Sequence, residues 1–148
     1  MTNHLAELNI ARLRHSLDHQ ANTEFVSVLG VINELAELSP GFVWRLKDDS
    51  GRASSYIHAS SDPLVIVNLT VWKDVESLRH FTYKSGHGAY FRRRREWFQP
   101  MDEPNMVCWW LPEDERPTLD DAMRRLERLR QHGPSGEAFL FSDPIDAG

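Results

Sequence analysis

A single cysteine in 148 residues, Cys108, excludes an internal disulfide framework and any site built from two thiolates. It lies in the apolar run VCWWL, where it reads as a buried strand residue, and a reducing compartment is expected. Long hydrophobic stretches are also missing. The opening MTNHLAELNIARLRH alternates polar and apolar residues, so neither a signal peptide nor a spanning helix is expected, and the protein is expected to be cytoplasmic with no membrane partner. Positive charge is in deficit, with 17 Lys and Arg against 22 Asp and Glu and a net charge of -5. That balance argues against a dedicated nucleic-acid binder, whose affinity rests on neutralising phosphates. The chain has no glycine-rich phosphate loop, no G-x-S-x-G elbow and no Cys–His arrangement, so covalent catalysis is not expected. Of seven histidines, only His15 and His19 are spaced i, i+4. That pair suits a metal only on a helix, and Asp18 and Gln20 put it in a loop.

What is present fits one domain over residues 1–148, large enough to hide about 70% of its unfolded surface. Residues 4–13 alternate as a first strand, with Ala6, Leu8 and Ile10 on one face and Leu5, Glu7 and Asn9 on the other. NTEFVSVLGVINELAELSPG carries Phe25, Val28, Leu29, Ile32, Leu35 and Ala36 at helical spacing, with a cap near Asn22 or Thr23 and a stop at Ser39-Pro40-Gly41. GFVWRL and SSYIHA read as a hairpin around KDDSG. LVIVNLTVW, residues 64–72, is apolar on both faces and marks a central strand covered on each side. DVESLRHFTYKS and AYFRRRREWF read as helical, separated by Gly86-His87-Gly88. NMVCWWL is a strand, with Trp109 and Trp110 on opposite faces, one towards helices and one towards a dimer seam. TLDDAMRRLERLRQHGP is a helix capped by Thr118 and Asp121 and stopped by Gly133-Pro134, and AFLF is a last strand. The order β-α-β-(β)-β-α-β-α-β approaches the split βαβ arrangement of α+β ferredoxin-like folds, with a helix and strand added at the end. Such a sheet carries helices on one face only, so a second copy of the sheet is expected to cover the other, making a homodimer.

Four consecutive arginines, 92–95, stand between aromatic residues. On a helical wheel Tyr90, Phe91, Trp97 and Phe98 fall on one side, Arg94 lies at the centre of that stripe, and Arg92 points away with Glu96. If the helical phase runs back through Gly88, His87 shares the face of Phe91 and Arg94. A buried guanidinium needs a carboxylate, a carbonyl or a ligand anion, so Arg94 is expected either in a structural ion pair, snorkelling to the helix edge, or facing a bound molecule. On the preceding strand Leu64, Ile66, Asn68, Thr70 and Trp72 share one face, and Asn68 must be satisfied by neighbouring structure or by a ligand. Arg45, alternating with Val43, reaches either a pocket or the dimer seam.

The segments INELAELSPGFVWRL, VNLTVWKDVESLRHF, SGHGAYFRRRREWF, WWLPEDERPTLDDAMRRLERLRQHGPS and AFLF resemble, over nearly the whole chain, an uncharacterised bacterial domain-of-unknown-function family of the dimeric α/β-barrel superfamily. The resemblance implies ferredoxin-like protomers whose sheets pack face to face, each with a small-molecule pocket between sheet and helices. The same superfamily contains the antibiotic-biosynthesis monooxygenases, which line that pocket with an Asn and a Trp four residues apart on a central strand, the spacing of Asn68 and Trp72. Cofactor-free members act on electron-rich phenols whose deprotonated carbon reduces oxygen directly. Under that resemblance His87 is the base, Asn68 and the Trp72 indole donate to the substrate anion, Arg94 holds it electrostatically, and Thr70, Tyr90, Phe91 and Asn9 line the substrate. The chain is also similar to haem-degrading relatives, which would give roles to Asn9, Trp72 and His87 or His80, although the Trp-to-His spacing departs from their pattern. A non-catalytic dimer that binds a small ligand or a protein partner is the alternative from another class.

Overall fold

The computed structural model describes residues 2–47, 62–84 and 93–146. The first strand, β1 (Asn3–Leu13), is followed by a short 3-10 turn and helix α1 (Thr23–Leu38), then β2 (Phe42–Arg45), β3 (Val65–Trp72) and helix α2 (Val75–Lys84). A 3-10 turn at Arg94–Glu96 leads into the two-residue β4 (Phe98–Gln99), then β5 (Met106–Pro112) and helix α3 (Leu119–His132). All pairings are antiparallel. β3 lies between β2 and β1, and the other edge of β1 takes β5 along residues 3–9 and β4 at residues 12–13. Strand order β2-β3-β1-β5 with α1 and α2 as crossovers is the ferredoxin-like α+β arrangement. Among the described residues no helix is long and apolar enough to cross a membrane.

Alternation along the strands produces two apolar layers. On the face of α1 and α2, Leu5, Trp72 and Cys108 pack against Ala36, Leu78, Phe81, Phe139 and Phe141. On the opposite face Ala6, Leu8, Val67, Leu69, Val71, Val107 and Trp109 pack against Ala122, Leu126 and Leu129 of α3. The expectation that a sister sheet must cover this second face is therefore corrected in its reasoning. Helix α3 lies on it, and Val65, Val67, Leu69 and Val71 are all buried within one protomer. Trp109 packs there too, with the Arg125 guanidinium 5.1 Å from its ring centre, while Trp110 faces the other way and donates to the Ile145 carbonyl. The helix signals in α3 act as its sequence suggests. Thr118 Oγ1 accepts from the Asp121 amide, and Gly133 ends the helix at φ 78°.

Two further expectations change. AFLF forms no full strand, and only Phe139 bridges Cys108 through a reciprocal pair of backbone hydrogen bonds. The segment expected as a helix through Phe98 is, in its described part, a 3-10 turn followed by the short strand β4. SSYIHA lies outside the described residues.

The turn into β2 depends on Gly41, which adopts φ 81° and accepts from the Lys73 amide through its carbonyl. A side chain here would be strained by the backbone and would run into the Ser77 side chain at the start of α2. Gly41→Ala is expected to lower the urea midpoint by an amount equivalent to more than about 1 kcal/mol. A Gly41→Ala/Ser77→Gly double variant should recover only part of that loss, because it relieves the clash but not the backbone. Equal midpoints for wild type and Gly41→Ala would contradict this account.

Candidate functional site

β1 is the middle strand, and its faces are covered by α3 on one side and by α1 and α2 on the other, the side that carries Glu7 and Asn9. Register sets Glu7 between Thr70 and Cys108, Asn9 between Asn68 and Met106, and Leu5 between Trp72 and Trp110. A carboxyl group at that place is shielded from bulk water, and Glu7 is only 2% exposed. Burial without hydrogen bonds would be costly, and each oxygen of the carboxyl has a donor. Asn9 Nδ2 donates to Oε1 at 2.6 Å and Thr70 Oγ1 donates to Oε2 at 3.0 Å. The Trp72 indole N–H in turn donates to Thr70 Oγ1 at 2.9 Å. With one lone pair taken by the indole, the threonine hydroxyl proton is directed at Glu7. Trp72 itself is fixed by stacking on Phe81 and by an edge contact with Phe42, at centroid distances of 5.1 and 5.5 Å.

Burial raises the pKa of Glu7 to about 7, although the Asn9 and Thr70 hydrogen bonds pull it down. The group is thus poised to take up and release a proton near neutrality. The adjacent Cys108 thiol is pushed far upward, first by its own burial and then by the charge of Glu7. It stays a neutral packing group.

Four of the residues singled out by sequence come together here. Asn9, Asn68, Thr70 and Trp72 share one face of β1 and β3, with Asn68 half-buried beside Asn9. Glu7 was missed as a candidate. Its signal was a lone acidic residue inside an alternating strand that pairs on both edges.

Arg94 is corrected. It is exposed, in the 3-10 turn, and does not face the polar group on β1 and β3. The α-helical wheel does not apply to this 3-10 backbone, which leaves the Arg94 side chain at the surface. Its neighbour Arg93 makes the inward contact instead. The Arg93 guanidinium lies 4.9 Å from the ring centre of buried Trp97 and pairs with Glu96 at 2.8 Å and with Glu24 of α1. His87, Tyr90 and Phe91 lie outside the described residues. His80 is exposed on α2, and the Asn9 amide is engaged by Glu7.

At the far end of the same row, Arg45 stands opposite Thr70 across the β2–β3 pair. Its Nε donates to Glu37 of α1 at 2.8 Å, which ties β2 to α1.

Residues 4–148 match the family model described as Domain of unknown function (DUF3291). The chain belongs to this family. No curated protein matches it at a significant level. Among solved structures, it is similar to SnoaB, a cofactor-independent oxygenase from Streptomyces nogalater. The TM-score is 0.50 at 17% identity, over 80% of this chain and 98% of that one. A protein of unknown function from Nitrosomonas europaea, NE2512, superposes with a TM-score of 0.51 at 13% identity, over 79% and 97% of the two chains. A monooxygenase from the ActVA-Orf6 gene of Streptomyces coelicolor, solved with Nanaomycin D, scores 0.42 at 16% identity and adds nothing to the fold argument. This DUF3291 chain therefore has a ferredoxin-like fold, and at these identities the likeness concerns fold alone.

The raised pKa of Glu7 makes stability depend on pH in a definite direction. The unfolded carboxyl titrates near 4.5 and the folded one near 7, so the folded state binds more protons between those values. Stability is greatest below the unfolded value and is lost as pH rises through 7, by on the order of 3 kcal/mol. Urea unfolding at a series of pH values should show this decline in wild type and a flatter profile in Glu7→Gln. Parallel profiles would mean that Glu7 titrates normally in the folded chain.

Proposed function

We propose that this DUF3291 protein is a small-molecule enzyme of the cofactor-independent oxygenase type, with Glu7 as the proton acceptor. The observation that carries the reading is the buried carboxyl held by Asn9 and Thr70, with its pKa raised to about 7. The likeness of fold to SnoaB supports the reaction class. In that chemistry an electron-rich phenol, of hydroquinone or anthrone type, loses a proton and the resulting enolate-like anion reduces dioxygen. The protein has to bind, deprotonate and stabilise that anion. A base with a pKa near the working pH is both partly ionised and strong enough to accept the proton. Asn68, half-buried beside Asn9, is the member of the group that opens outward and is assigned to the substrate anion. Thr70 and Trp72 orient the carboxyl. His87 as an alternative base, and Tyr90 and Phe91 as substrate-side residues, are kept as proposals on the strength of the family resemblance.

A second reading is a non-catalytic dimer that binds a small ligand or a protein partner. It draws on the same network, in which both carboxylate oxygens already have donors inside the protein. The homodimer is itself a proposal, supported by the superfamily resemblance rather than by any uncovered apolar face.

Oxygen consumption with a panel of hydroquinone and anthrone-like compounds separates the readings. Turnover is expected in wild type, with a fall of about 100-fold or more in Glu7→Gln. Asn68→Ala should fall too, whereas Arg94→Ala should keep wild-type turnover because its side chain is exposed. Equal turnover by Glu7→Gln and wild type removes Glu7 as the base. No turnover of any compound by wild type favours the binding reading.

A further inference from the structure

Hydrogen-bond direction around Glu7 decides where a proton can sit. The Trp72 indole donates to Thr70 Oγ1, and Thr70 donates its own proton to Glu7 Oε2. A proton arriving on Oε2 would make Thr70 accept from both sides and strand its hydroxyl hydrogen, because the described residues give Thr70 no further acceptor. Oε1 is therefore the oxygen that is protonated. Yet Oε1 lies 2.6 Å from Asn9 Nδ2, and a carboxylic O–H set against an N–H2 group brings two donors face to face.

The amide resolves this by turning over. Its oxygen and nitrogen are nearly the same size, the terminal torsion of asparagine has broad, roughly two-fold wells, and 2.6 Å suits an O–H···O bond as well as a charge-assisted N–H···O bond. No strand has to move. Among the described residues, no other group facing Glu7 titrates over the same range. From β5 the Cys108 thiol is pushed upward by burial and by the charge of Glu7, so it stays protonated. On the helix side Ala36, Leu78, Phe81 and Phe139 are apolar and His80 is exposed, while Arg45, beyond Thr70, is held by Glu37. Asn9 also stands at a boundary. Glu7, Thr70 and Cys108 are buried, whereas Asn9 shares the next row with Asn68 and Met106, and all three are half-buried.

We infer that Asn9 is a proton-coupled switch, whose side-chain amide donates to Glu7 when the acid is ionised and turns over to accept from it when the acid is protonated. The half of the amide that Glu7 does not use changes with it, from a carbonyl oxygen to an N–H2 group. In turnover, a step that rests on the proposed oxygenase reading, this half offers an acceptor to the neutral phenol and, once the proton has passed to Oε1, a donor to the anion. Asn9 is then a positioning residue timed by the base.

Nuclear magnetic resonance of the isotope-labelled full chain reads the orientation of the amide without any turnover. The Asn9 N–H2 protons, assigned through bonds to their own side chain, should show nuclear Overhauser contacts to the Glu7 side chain at about pH 9. At about pH 5 those contacts should be replaced by contacts to Asn68 or Met106. The midpoint of the change is expected at about 7. Glu7→Gln gives the opposite control. A glutamine that accepts from Thr70 through its oxygen must turn its own N–H2 group to Asn9, which holds the asparagine amide turned over at every pH. The inference is overturned if the contacts to Glu7 persist across the titration, or if Asn9 in folded Glu7→Gln keeps the pattern expected at high pH. If circular dichroism shows that Glu7→Gln fails to fold, the wild-type titration decides alone. Loss of the switch leaves the oxygenase reading standing on its oxygen-consumption assay, and loss of that reading leaves the switch standing on the Overhauser contacts.

Discussion

The constraint on which this structure turns is the central position of β1. At the middle of a strand paired on both edges and covered on both faces, a carboxyl group is shut away from water and must be solvated by the protein. Glu7 is solvated by Asn9 two residues along the same strand and by Thr70 directly across the ladder. Those donors occupy register positions, so the strand pairing that makes the fold also makes the network. Trp72 extends it by the same logic, two residues from Thr70 on the same face. A slip of one residue between β1 and β3 would put Glu7 and Asn9 on the face opposite to Thr70 and Trp72 and separate the carboxyl from its hydroxyl donor.

This coupling explains why the helices sit where they do. Phe81 of α2 and Phe42 of β2 close on the Trp72 ring, and Gly41 lets β2 turn back closely enough to bring Phe42 there. The same turn places Arg45 opposite Thr70 and within reach of Glu37 on α1. Two elements, α2 and β2, are thus packed around one indole, and Arg45 takes its place in the row from that packing.

Much of this architecture was legible in the sequence because it follows from periodicity and punctuation. α1 and α3 carry apolar residues at helical spacing between recognisable caps, and β3 and β5 are continuous apolar runs. The sheet order, and with it the sharing of a face by Asn9, Asn68, Thr70 and Trp72, came from matching those elements to a known topology. The arginine run was misread for a definable reason. Assigning Arg94 to a buried face assumed a helix through Phe98, and the described part of that segment is instead a 3-10 turn that enters β4. Once the backbone departs from 100° per residue, the wheel says nothing about direction. In the described part of the aromatic stripe Trp97 and Phe98 both pack against Phe25, with Arg93 rather than Arg94 against the Trp97 ring. Glu7 escaped notice through a different limit. Alternation shows that two faces differ, but only the number of partners on each edge shows that both are buried.

The burial of Glu7 has a cost that the fold could have avoided with an apolar residue at the same position. A methyl-bearing side chain there would pack between Thr70 and Cys108 without asking Asn9, Thr70 and Trp72 to act as donors. Keeping the acid therefore lowers stability at neutral pH relative to a protonated or apolar equivalent, because the desolvated carboxylate is the disfavoured form. A purely structural network gains nothing from sitting at the pH where its central proton is shared equally between bound and free. A group that must collect a proton and pass it on does gain, since both of its states are then populated and interconvert at little cost. That asymmetry is the physical ground for treating the carboxyl on β1 as the working group of the site, and the neighbouring amides and hydroxyl as the apparatus that holds it ready.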